Sequence, residues 1–236
     1  MRDLLRITLL LLLAVLVAGC GGKKHTSTAR RIPAPPEATA PAGGSSAKPS
    51  PHHNEKVLYT ETGYASWYGP PYHNRKAANG EIYDQDAMTA AHRMLPFGSR
   101  VRVTNLKTGE SAIVTINDRG PFVSNRIIDL SRAAAKAVGV WRPGTANVRL
   151  DVLDAPSDIH HGGRWCVQIG AFKDYDVASD LKQELIRRYS TAKVIQFTGP
   201  TGEWVRVRVP QDDKQRAEEV ADNTHTSAPV WLVRMD

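Results

Sequence analysis

Near the start of the chain the apolar residues form one unbroken run, Leu9 to Ala18, behind the basic residues Arg2 and Arg6. A run this short with such flanks predicts a secretory signal rather than a bilayer span. From Gly21 to about Lys56 large apolar residues almost vanish in favour of Pro, Ala, Ser, Thr and Gly. Such a segment cannot offset the entropy of ordering and is expected to be a flexible tether. Between Thr62 and about Asp154 short bursts of alternation return. Gly63 to Tyr68 reads as an aromatic strand, Arg100 to Thr104 and Ser111 to Ile116 as a hairpin around Asn105–Gly109, and Asn147 to Leu153 as a closing strand. Leu130 to Gly139 predicts a short helix with Ser131 as N-cap and Gly139 as its stop. Mostly strands with a helix at a corner suggests a small barrel.

Beyond a polar stretch the pattern changes again. Trp165 to Phe172 reads as a strand, and Val177, Leu181, Leu185 and Tyr189 share one face of a helix. Strands at Ala192–Phe197 and Glu203–Val209, a helix from about Asp212 to Ala221 and a last strand at Pro229–Val233 follow. The order βαββαβ is the split, ferredoxin-like arrangement. The expected organisation is a signal over 1–19, a linker over 20–56, a β-rich domain over 57–155, a hinge over 156–163 and an α+β domain over 164–236. The chain orders of the two domains differ, so there is no internal repeat.

Composition changes this picture in few places. The chain has 236 residues and a formal net charge of +7, which favours anionic neighbours. Zinc-finger spacing, a recognition-helix pattern and the aromatic–basic signature of an RNA-binding sheet are all missing, so no nucleic-acid partner is expected. Of the two cysteines, Cys20 follows the small residues Ala18-Gly19 at the end of the apolar run. Cys166, beside Trp165 in a strand, reads as a packed residue without a disulfide partner. The pairs His52-His53 and His160-His161 have no further ligands at useful spacing, so neither a metal nor another cofactor is expected.

The candidate chemistry lies in polar, Gly- and Pro-flanked loops of the β-rich domain: His73 to Glu81, Met88 to Gly98, and Val114 to Phe122. A strand alternating into Asn117-Asp118-Arg119-Gly120-Pro121 would place a carboxylate at a barrel rim. On spacing alone, a turn cap paired with Arg119 is the slightly better reading of Asp118. In the C-terminal domain Gln168, Arg206 and Arg208 can share one sheet face, with Val205, Val207 and Val209 on the other. Amide and guanidinium groups there suit the hydroxyls, acetamides and carboxylates of a glycan. Trp204 and Trp231 fit sugar stacking or ordinary strand packing.

From Gly63 to Leu153 the chain resembles the rare lipoprotein A family of septal-ring lytic transglycosylases. The segments Thr89-Ala90-Ala91-His92 and Asn117-Asp118-Arg119-Gly120-Pro121-Phe122 carry that resemblance most specifically, with Ile127 to Ser131 after them. The resemblance implies a double-psi β-barrel, followed by a domain similar to SPOR domains on the strength of Val167 to Phe172 and Val205 to Val209. It implies cleavage of β-1,4 MurNAc–GlcNAc bonds in peptide-free peptidoglycan strands to leave 1,6-anhydro ends, with Asp118 and Glu81 as the acidic pair and His92 as helper. Gln168, Arg206 and Arg208 would bind glycan. Contact between the Arg119 side chain and Asp118 would lower the aspartate's pKa and favour Glu81 as the acid. The segment before Cys20 resembles a lipobox, which implies acylation of Cys20, and Gly21, where an aspartate would imply inner-membrane retention, favours an outer-membrane position facing the periplasm. The family resemblance implies work at the division septum, with divisome proteins as partners. The chain departs from the family at Asn74 and Pro210, where Gly is usual, and at Ala77, where Thr is usual. The alternative from another class is an expansin-like glycan binder that breaks no bonds.

Overall fold

The computed structural model describes residues 55–69 and 72–236. The signal, Cys20 and the linker up to residue 54 lie outside the described residues.

Six strands close into a barrel in the order β1-β5-β2-β4-β3-β6. They are β1 (Tyr59–Trp67), β2 (Thr89–His92), β3 (Arg100–Asn105), β4 (Ser111–Asp118), β5 (Arg126–Leu130) and β6 (Ala146–Asp154). The expected hairpin is β3 and β4, paired antiparallel from Arg100↔Thr115 to Thr104↔Ser111. The strands β2 and β5 were not visible as strands in the alternation. They supply the two parallel pairings, β1 with β5 and β2 with β4, which make the barrel double-psi rather than a simple meander. Val101, Val103, Val114, Ile116, Ile128, Leu130, Leu150 and Val152 fill its core. Each fully buried aliphatic side chain of this kind contributes about 1.5–3 kcal/mol relative to exposure. The helix α1 (Arg132–Ala137) begins at Ser131, whose hydroxyl accepts from the Ala134 N–H as its sequence position predicts.

The second domain is a four-stranded antiparallel sheet in the order β10-β7-β9-β8. Its strands are β7 (Trp165–Phe172), β8 (Lys193–Gly199), β9 (Gly202–Arg208) and β10 (Val230–Arg234). The helices α2 (Tyr175–Arg188) and α3 (Lys214–Asp222) contribute Ala178, Leu181, Leu185, Ala217 and Val220 to a core with Val205 and Val207. This is the predicted βαββαβ order. Cys166 is buried in β7, and burial pushes its thiol up to about 11.

The stretch expected to be a polar hinge is pinned instead. The fully buried Arg234 donates to Asp158 O at 2.7 Å and to Ser157 Oγ at 2.9 Å. Trp165 Nε1 donates to Gly162 O, and Ile159 packs on the barrel core. Barrel and sheet lie in one compact unit.

Candidate active site

A break in strand register decides where the acidic group of β4 points. Val114 and Ile116 are buried on the barrel's inner phase, and strict alternation would send residue 118 inward after them. The pairing of β2 with β4 instead steps from Ala90↔Ile116 to Ala91↔Asp118. The extra residue, Asn117, is buried, and Asp118 turns to the rim. There its carboxylate accepts from the Tyr68 hydroxyl at 2.9 Å on one oxygen. The other oxygen accepts from the backbone N–H groups of Ala78 and Arg119, both at 2.8 Å. The turn-cap reading of Asp118 is therefore correct as far as the Arg119 backbone goes, and the rim reading is correct too. Burial, and after it the Asp118 charge, push the Tyr68 phenol well above its ordinary range, so it stays a donor.

The second carboxylate at this rim is one that periodicity did not reveal. Asp129, near the end of β5, accepts from Ser66 Oγ at 2.6 Å and from Arg126 Nη2 at 3.1 Å. Ser66 and Asp129 are register partners across the parallel β1–β5 pair. Burial raises the Asp129 pKa and the Asp118 charge adds to the rise, against the lowering by Ser66, Arg126 and Arg93. Asp118, Asp129, Ser66 and Tyr68 line one cavity of about 640 Å³. Ile127-Ile128-Asp129-Leu130 is buried throughout, so β5 shows no alternation. Its only sequence signal was the Ile127–Ser131 segment shared with the family.

The other predicted residues fall in different places. Glu81 is exposed on the 72–87 loop. Its carboxylate accepts from Asn79 Nδ2 at 2.8 Å, and it is absent from the cavity wall. That loop is nonetheless tied to β4, through Ala78 N–H to Asp118 and Asn79 N–H to Asn117 O at 3.2 Å. His92 does not join the carboxylates. It is 2% exposed, its Nε2 meets Glu61 Oε2 at 3.0 Å, and its Nδ1 accepts from the Met94 and Leu95 N–H groups. Burial holds the ring's pKa down, and with both nitrogens engaged its geometry is that of a residue shaping the turn after β2.

The Arg119 side chain does not meet Asp118, contrary to the sequence-based expectation. It leaves the rim and donates to His92 O at 3.1 Å and Leu95 O at 2.9 Å in the barrel, and to the Arg234 and Asp236 carbonyls of the second domain. Burial and the nearby Arg234 charge bring it down to about 10. The argument that Arg119 makes Glu81 the acid therefore loses its premise.

In the sheet, Arg206 Nε and Nη2 donate to Gln168 Oε1 at 3.2 and 2.6 Å, and both residues line the same cavity as Asp118. Arg208 is turned away and committed to Asp212, with contacts of 3.0 and 2.7 Å. This pair, joined by Arg164, holds Asp212 below the usual carboxylate range. Trp204 is buried and stacks edge-on to Phe122 of the barrel at 5.4 Å. Trp231 lies under the Arg93 guanidinium at 4.9 Å, so both indoles serve the seam between domains.

A closed double-psi barrel with two carboxylates at its rim thus faces the polar side of an open sheet. Residues 60–150 match the family described as "Lytic transglycolase", and residues 161–225 match the "SPOR domain". The two matches together span more than half of the chain, in the domain order that the resemblance to the rare lipoprotein A family implies. The chain is 41% identical over 163 residues to the endolytic peptidoglycan transglycosylase RlpA of Campylobacter jejuni, covering 59% of this chain and 58% of that one. It is 40% identical over 175 residues to the protein of that name from Pseudomonas aeruginosa, covering 73% and 51%. A probable member from Synechocystis is 59% identical over 91 residues, covering 39% and 28%. The chain thus spans less than two thirds of the length of these relatives. Among solved structures, a Clavibacter michiganensis expansin aligns at 14% identity over 75% of this chain and 86% of that one, with a TM-score of 0.33.

Proposed function

We propose that this chain is an endolytic peptidoglycan transglycosylase that cleaves β-1,4 MurNAc–GlcNAc bonds in peptide-free strands and leaves 1,6-anhydro ends. The observation that carries the proposal is the pair of rim carboxylates, Asp118 and Asp129, in one cavity and in unlike surroundings. Carboxyl pairs of this kind divide acid and stabilising roles. Asp129, whose pKa is raised, protonates the leaving GlcNAc oxygen as the C1–O bond breaks. Asp118, fixed by Tyr68, Ala78 and Arg119, faces the oxocarbenium-like charge that develops. The sugar's own C6 hydroxyl then bonds to C1 and returns its proton to Asp129, so no water is consumed. Glu81 stands outside the cavity on the adjoining loop, where it can meet the strand but not the scissile bond.

Mass spectrometry of digests of amidase-treated peptidoglycan tests this reading. Anhydro ends are expected from the wild type and none from Asp118→Asn. Binding without new ends would replace the reading by the non-cleaving, expansin-like one. We further propose that Cys20 is acylated and holds the chain at the outer membrane near the septum. The apolar run and the small residues before Cys20 support this. Cys20→Ala should abolish incorporation of labelled palmitate and release the chain into the soluble periplasmic fraction.

A further inference from the structure

The two domains meet along a seam that includes the residue next to Asp118. The end of the last strand lies at its centre. Arg234 N–H donates to Arg93 O at 3.0 Å and Phe97 N–H donates to Asp236 O at 3.3 Å, so residues 234–236 are bonded to the turn that follows β2. Met94, in the same turn, packs on the apolar core of the sheet. Phe122 against Trp204 and Arg93 over Trp231 add ring contacts to the seam.

Arg119 joins this seam to the chemistry. Its backbone N–H donates to Asp118 Oδ1 at 2.8 Å. Its guanidinium lies 3.6 Å from the Phe97 ring centre and donates to four carbonyls, those of His92 and Leu95 in the barrel and of Arg234 and Asp236 in the sheet domain. Nε, Nη1 and Nη2 all take part. A guanidinium presents its donors in a rigid planar fork, so four carbonyls from two domains fix its plane and, through it, the backbone of the residue. The strand ladder gives Arg119 no such hold, because it ends one residue earlier at Ala91↔Asp118.

We propose that Arg119 is a positioning residue for cleavage: by bolting the C-terminal strand to the barrel it fixes the N–H that aims the Asp118 carboxylate, so that the docked second domain sets the cleavage rate. This role is independent of any sugar that the second domain holds, and it rests on the transglycosylase reading above. Asp118 must face the charge that develops at C1, and an error of about 1 Å in the placing of such a group costs on the order of 10²-fold in rate. Loosening the bolt should therefore lower kcat and leave binding of the strand largely as it was.

A short, soluble, peptide-free glycan fragment tests this on the full chain, because its cleavage needs no capture of the wall. Arg119→Met is expected to lower kcat about tenfold or more, with KM within about twofold. Removing Met235 and Asp236 attacks the same bolt from the sheet side without touching the barrel, and should also lower kcat. In the double variant the two losses should not add, because both break one connection. Full kcat in either single variant, or losses that multiply in the double variant, would overturn the proposal. Amide hydrogen exchange gives a readout that does not depend on activity. The Ala78 N–H is bonded to Asp118 in the wild type. It should exchange about tenfold faster in both variants while the amides of β3 keep their protection. An equal gain across β3 would mean general loosening and would overturn the proposal as well. If the wild type cleaves nothing, the transglycosylase reading falls. Exchange at Ala78 then decides the bolt on its own, with unchanged protection sinking it.

Discussion

The barrel and the sheet expose polar groups in opposite ways. A closed barrel has no open face or edge, and its inner positions are filled by Val, Ile and Leu. Its chemistry is confined to places where ladders end or slip: Ser66 late in β1, Asp118 after the shift at Asn117, and Asp129 late in β5. The sheet is open. Helices cover one face, and the other carries Gln168 and Arg206 in mid-strand, as direct cross-strand partners. A site at strand ends depends on bulges and loops for its aim, whereas a site on a face inherits its aim from the pleat.

The comparison makes its strongest demand at the rim. Asp118→Asn is expected to slow the formation of anhydro ends by about 10³-fold or more with little change in melting temperature. Asp129→Asn should follow at about 10²- to 10³-fold. Because Asp129 must be protonated to donate, activity should be present below its raised pKa and fall as pH climbs through it. The Ser66 hydrogen bond opposes that rise, so Ser66→Ala should move the alkaline limb of kcat/KM upward. A limb that stays put would remove Asp129 from the acid's role.

His92 sits in the barrel but behind its rim, so its loss should register as stability. His92→Gln should cost about 1–3 kcal/mol by denaturant melts, by removing the ring nitrogen that accepts from the Met94 and Leu95 N–H groups of the turn. Burial depresses its pKa, so its contribution to stability is complete above the ordinary histidine range and is lost as pH falls through the depressed value. The variant should lack this acid sensitivity while keeping the wild-type pH–rate limbs. On the sheet, Arg208→Ala should cost about 1 kcal/mol or less, since Arg208 is partly exposed and Arg164 still pairs with Asp212. Glu81→Gln completes the series with an expected effect on cleavage below about tenfold, because the side chain is exposed and outside the cavity.

The same contrast explains what could be read from the sequence. Alternating strands with one buried face, such as β3, β4 and β9, and the helices α1 and α2 were visible within a few residues. The cap of α1 was visible to the residue. β2 escaped because Thr-Ala-Ala-His is short and poor in β-branched residues, and β5 escaped because it is buried on both sides. These two strands carry the parallel pairings, so the barrel's topology came from family resemblance rather than periodicity. Asp118 was legible as a rim carboxylate. Its partner was not, because Ser66 and Asp129 are 63 residues apart and meet only through the β1–β5 register. Alternation placed Arg206 and Arg208 on one face. It could not show that Asp212, four residues after Arg208, would take that guanidinium out of service.

The burial of Cys166 gives the second domain a silent clock. A thiol that is inaccessible and shifted to about 11 reacts with an alkylating dye only after the sheet has opened. With Cys20 replaced, the rate of labelling at Cys166 would therefore time the opening of the sheet alone. Comparing that rate with and without a glycan fragment would show whether a strand in the cavity braces both of its walls or just one.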